Sequence, residues 1–151
     1  IFLSYMLSFV YLGIYWNNHH HLFYASEKLA GNILWTNLHV LFWLSFVPFT
    51  TGWMGENHFD TAPVALYGFN LLMAGIAYNI LTKALLSHHT EDSILSLALR
   101  NDVKGRLSML FYLIAIPITF WSSWAAMAIF ALVAIMWLFP DQRIVKQIIA
   151  R

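Results

Sequence analysis

Five apolar runs, none with a charged residue well inside it, leave this sequence few folds to choose from. They cover about residues 2–23, 33–54, 62–86, 107–121 and 124–139. A helical bilayer crossing takes about 20 mostly apolar residues. Only Lys83 intrudes, near the end of the third run, where its amine can reach the interface. The 151 residues are 60% hydrophobic and 10% charged, against about a quarter charged in soluble domains. One small core cannot hide that much apolar surface. The expected fold is an all-α, polytopic transmembrane helical bundle forming a single domain over residues 1–151. The last two runs are short and meet at Trp121-Ser122-Ser123-Trp124. Merged, they would be far too long for one crossing, so two spans with a tight turn are expected.

Charge sets the orientation. With the loops placed alternately on two sides, one side holds Lys28, Lys83, Arg100, Lys104, Arg106, Arg143, Lys146 and Arg151, which are all eight basic residues. The other side holds Glu56 and Asp60. The positive-inside rule makes the basic side, with the C-terminus, cytoplasmic. Ile1 then falls on the outer side. If the native N-terminus is cytoplasmic, a sixth helix precedes these residues, and the start Ile-Phe-Leu reads as a chain whose beginning is missing.

Polar groups inside a membrane need partners, since lipid supplies none. The first run ends Trp16-Asn17-Asn18-His19-His20-His21, and the second opens Leu34-Trp35-Thr36-Asn37-Leu38-His39. As neighbours in an antiparallel hairpin, these clusters are expected to share an interhelical network that includes His19, Asn37 and His39. Consecutive histidines point about 100° apart on a helix and cannot all face one ion. No Cys is present, and no His pair recurs at a metal-binding interval. His20, His21, His88 and His89 read as interfacial or solvated. No metal and no cofactor are expected.

Pro48 is expected to kink the second helix, with Thr50 and Thr51 returning hydroxyls to freed carbonyls. Pro117 with Thr119 reads the same way. Gly68 and Gly75, with Asn79 and Thr82, mark a close-packing face, as do Ala128, Ala131 and Ala134. Residues 93–102 fit either an amphipathic surface helix or an early start to the fourth span. No Gly-rich nucleotide loop, hydrolase triad or paired membrane carboxylate occurs, so no enzyme and no nucleic-acid partner are expected.

Taken in order, Trp16-x-x-His19-x-x-Leu22-Phe23, Leu34-Trp35-x-Asn37 and Pro48-Phe49-Thr50 resemble the second and third helices of the endosomal and lysosomal potassium channel family (transmembrane protein 175), in its single-repeat prokaryotic form. These motifs cover about residues 5–55, a third of the chain. The resemblance implies six helices per subunit and a homotetramer around a pore lined by the first helix. Aliphatic rings on that helix would form the constriction. It also implies a potassium-selective cation channel in a prokaryotic plasma membrane, with potassium ions and the bilayer as partners. The family's Phe-Ser-Asp signature is absent here, so pore-lining residues are expected on the missing first helix. His19, Trp35 and Asn37 match the polar network that supports the pore helix, and are read as supporting residues rather than ion ligands. The residues also leave open a His-based haem- or metal-binding membrane subunit, and a membrane assembly partner that transports nothing.

Overall fold

The structure, a computed structural model, describes residues 2–24, 31–87, 96 and 102–138. Five helices make up the described chain: α1 (Phe2–Tyr24), α2 (Gly31–Glu56), α3 (Thr61–Leu86), α4 (Val103–Ile118) and α5 (Ser123–Leu138). The architecture is an all-α bundle. The expectations for His88 and His89, and for the basic residues Lys28, Arg100, Arg143, Lys146 and Arg151, lie outside the described residues. Of the stretch 93–102 only Ser96 and Asp102 are described, so the surface-helix expectation lies outside them too.

Helices α2 and α3, of 26 residues each, are long and apolar enough to cross a membrane. Helices α4 and α5 have 16 residues each. At about 1.5 Å per residue, a helix that short reaches less far than a typical hydrocarbon core is thick. The fourth helix starts earlier than its apolar run does. The Asp102 carboxylate accepts from Gly105 N at 2.8 Å and caps a first turn that contains Lys104 and Arg106. It also ends earlier. Pro117 sits in the last turn instead of kinking the middle, and the Thr119 hydroxyl donates to Ile116 O at 2.7 Å. Residues 119–122 then carry the chain round to α5, with Trp121 94% exposed.

The α2–α3 pair is a tight antiparallel hairpin. Its inner seam repeats every seven residues on α2, where Ile33, Val40, Val47 and Met54 are all fully buried. On α3 Val64, Tyr67, Leu71, Ala74, Leu81 and Leu85 are also fully buried. Heptad spacing of this kind suits two helices crossing at a shallow angle. The connection, residues 57–60, is short, and His58 (φ 51°) and Phe59 (φ 61°) take left-handed backbone conformations. Phe59 N bonds Met54 O at 3.0 Å and Asp60 N bonds Asn57 O at 2.9 Å. The Asp60 side chain then accepts from Thr61 N to start α3. The Phe59 ring rests on Trp124 of α5, centroids 5.3 Å apart.

Helix α3 is the centre, packed against α2, α4 and α5, while α1 packs on α2 and α5. Gly68 explains how α5 comes so close. A Cβ added there would lie 2.7 Å from Phe130 Cζ and 3.2 Å from Ile116 Cγ1. Gly75 faces Met109 more loosely, at 3.6 Å. Both glycines of the expected packing face therefore serve contacts within one subunit. Of the three alanines noted on α5, Ala134 is buried, and Ala128 and Ala131 are exposed. Around Phe130 gather Tyr67, edge-on at 5.4 Å, and Tyr112 at 6.1 Å. The Tyr11 hydroxyl of α1 donates to the Phe130 carbonyl and ties the first helix to the last.

Candidate functional site

Of the polar clusters foreseen at the α1–α2 junction, His19 and Asn37 are joined across the two helices. His19 Nε2 meets Asn37 Oδ1 at 2.5 Å. An amide oxygen only accepts, so the ring must carry its proton on Nε2 to make this bond. The ring also packs on Phe23, centroids 4.6 Å apart. Asn18 and Thr36 serve their own helices. Asn18 Nδ2 donates to Ile14 O at 2.8 Å, and the Thr36 hydroxyl donates to the carbonyls of Asn32 and Ile33, each at 3.0 Å. His39 does not join His19. Its Nε2 accepts from Trp43 Nε1 at 3.0 Å along α2.

Trp35 is not brought to this pair. It is 75% exposed on the opposite side of α2 from Asn37. Helical phase is the reason, since two positions along a helix turn the side chain through about 200°. Trp35 instead begins an outward stripe that continues through Leu38, Phe42, Phe49 and Trp53. A similar stripe on α1 runs through Phe2, Tyr5, Phe9 and Trp16. Trp16 stacks on His20, centroids 5.5 Å apart and planes 15° from parallel. His20 and His21 meet edge to face at 5.7 Å. Among the described residues, no group of three or more His, Cys, Asp or Glu side chains could hold a metal ion.

Deeper in the bundle, α2 is gripped from both sides near Pro48. The helix runs unbroken through this proline from Gly31 to Glu56. The Thr50 hydroxyl reaches Phe46 O (3.2 Å) and Val47 O (3.1 Å), and that of Thr51 reaches Val47 O (2.8 Å) and Pro48 O (3.1 Å). The carbonyl that Pro48 leaves without its usual partner belongs to Leu44, four residues back, so the threonines serve neighbouring carbonyls rather than that one. From α1, the Ser8 hydroxyl bonds that of Thr51. From α3, the buried Asn70 lies with its amide 3.4 Å from the Thr50 hydroxyl. Turned to suit the groups around it, the Asn70 amide donates to Trp43 O at 3.1 Å and accepts from Val47 N at 3.2 Å. One side chain thus meets both a carbonyl and an N–H of the neighbouring helix backbone.

Sequence reasoning passed over Ser8 and Asn70. A lone amide in an apolar run is a visible signal that it has a partner. The register between helices, which selects that partner, is not written in either run.

The model of the family described as endosomal/lysosomal potassium channel TMEM175 matches residues 1–48, a stretch that contains both His19 and Asn37. A potassium channel of Chryseobacterium sp. (strain P1-3) is 47% identical over 147 residues, covering 97% of this chain and 77% of the relative. No solved structure matches the chain. With nearly its whole length aligned at that identity, and its first 48 residues matched by the family model, the chain is an integral membrane protein that belongs to the TMEM175 potassium channel family.

Proposed function

We propose that this chain is the subunit of a potassium-permeable, potassium-selective channel that conducts passively and catalyses no reaction. The observation that carries the reading is the 47% identity with a bacterial potassium channel along 97% of the chain. The relative is longer than the aligned region, which makes up 77% of it, and this leaves room for a further helix. The pore is proposed to lie on such a helix, with aliphatic side chains at its constriction, in a homotetramer. Conduction would pass through an apolar neck that must hydrate.

The outward stripes of α1 and α2 support this arrangement, because they offer aromatic and aliphatic surface to neighbours. Trp35 would touch such a neighbour directly. His19 and Asn37, joined to each other, would fix the angle between the two helices that carry those stripes. Pro48 and Thr50 would shape the same surface from within. The basic loops favour a cytoplasmic C-terminus, and the bacterial relative suggests a prokaryotic plasma membrane.

The test is ion flux from the full-length protein in liposomes, with potassium and sodium gradients compared. Faster potassium flux is expected, lost when the segment preceding these residues is deleted from protein that still assembles. Absence of flux from well-folded protein, or equal sodium and potassium flux, would overturn the selective-channel reading.

A further inference from the structure

At the end that holds the α2–α3 turn, the helices finish level. Phe59 in that turn rests on Trp124, at the start of α5, with centroids 5.3 Å apart. At the opposite end they do not. Trp137, next to the last residue of α5, meets Tyr78 of α3, centroids 6.4 Å apart. Asp102, the cap of α4, borders the same small cleft as Tyr78 and Trp137. Both α4 and α5 therefore stop at the level of Tyr78. Helix α3 runs on to Leu86, about 12 Å further at 1.5 Å per residue. Leu22, Ile33, Leu81 and Leu85 form a second apolar cluster there, and its described members come from α1, α2 and α3 alone.

The bundle thus has two apolar heights. The 26 residues of α2 and of α3 rise about 39 Å, and the 16 of α4 and of α5 about 24 Å. A typical hydrocarbon core is about 30 Å thick. Chemistry closes the short pair at both ends. At one end Asp102, Lys104 and Arg106 occupy the cap and first turn of α4, and Pro140-Asp141 follow closely after α5. Charged groups are costly in hydrocarbon, and a Lys or Arg stem reaches only a short way out of it. At the other end Phe120, Trp121 and Trp124 are strongly exposed, and rings of this kind settle at headgroup level. Between these limits the exposed side chains are aliphatic: Leu107, Leu110 and Leu113 on α4, Leu132 and Ile135 on α5. Tilting a short helix only reduces its reach across the membrane, so the bilayer must yield instead.

We propose that the α4–α5 edge faces lipid and is fitted to a thin hydrocarbon layer of about 24 Å, so that phospholipids with short acyl chains gather along it in preference to long ones. The edge lies within one subunit, and its preference does not depend on conduction.

The test uses the full-length protein in dioleoyl phosphatidylcholine vesicles. Leu113→Cys places a fluorophore on the exposed face of α4, with any cysteine outside these residues replaced by serine. Brominated dimyristoleoyl or brominated dierucoyl phosphatidylcholine is added at equal mole fraction, and quenching reports which lipid gathers at the label. Quenching by the short-chain lipid should correspond to a local enrichment of about twofold over the long-chain one. Replacing both Lys104 and Arg106 by Leu lengthens the apolar face of α4 by a turn and should move the preference toward longer chains. Equal quenching by the two lipids would overturn the proposal, as would a preference that the double variant leaves unchanged. Absence of quenching by either lipid would show the edge covered by protein and overturn it as well. Because lipid contact rather than flux is read, a failure here is distinct from a failure to conduct.

Discussion

The α1–α2 pair and the α3–α4–α5 group are built on different principles. In the second group, α3 presents Gly68 to α4 and α5 and Gly75 to α4, and the fit is steric. Phe130 occupies the space that Gly68 leaves open. In the first pair, large rings turn outward, and single polar bonds link the pair: His19 to Asn37, and Ser8 to Thr51. Hydrophobic driving force between helices is weak in lipid, so close packing and interhelical hydrogen bonds must hold a bundle together. Each region relies mainly on one of the two. The difference separates a rigid base from a surface left open to neighbours.

Four substitutions would sharpen or break that contrast, each read as a change in unfolding free energy of the detergent-solubilised protein. The largest effect is expected from Gly68→Ala, at about 2–3 kcal/mol, because an aromatic ring inside a packed core has little room to yield. If this variant is as stable as the parent, the steric account of α3 is wrong. Asn70→Leu comes next, at about 1–2 kcal/mol. It tests whether the α2–α3 hairpin, otherwise packed by apolar seams, also depends on an amide. A loss no greater than that from an exposed position would say it does not. For His19→Leu about 0.5–1 kcal/mol is expected. Most of that should vanish in a background already carrying Asn37→Leu. Additive losses would show that the two side chains act separately. Trp35→Ala should change subunit stability by less than about 0.5 kcal/mol while weakening assembly, seen as a shift toward smaller species on size exclusion. A large loss of subunit stability with assembly intact would remove the distinction between base and open surface.

Much of the fold was legible, for reasons that individual residues make plain. The bounds of α2 and α3 follow their apolar runs to within two residues, because those runs end where polar residues and an Asp60 cap begin. Helix α4 begins four residues before its run, since a helix with an Asp102 cap extends past the apolar zone and tolerates Lys104 and Arg106 in its first turn. At the candidate site, the His19–Asn37 neighbourhood could be read from two polar clusters flanking a short loop. Trp35 was grouped with them through the motif, and its phase on the helix, which turns it outward from the pair, follows from its two-residue offset from Asn37. The grip of Asn70 on Trp43 and Val47 could not be read, because it depends on how far one helix slides along the other.

The four residues between α2 and α3 also bear on biogenesis. A helix released alone into hydrocarbon with an unpaired amide costs several kcal/mol, and Asn70 would be such an amide until α2 lies beside it. So short a connection lets neither helix cross far ahead of the other. The two helices are then expected to enter lipid together, as one hairpin. Lengthening the link at 57–60 would expose a half-inserted intermediate to quality control, and its first sign would be low yield of the protein in the membrane rather than altered conduction.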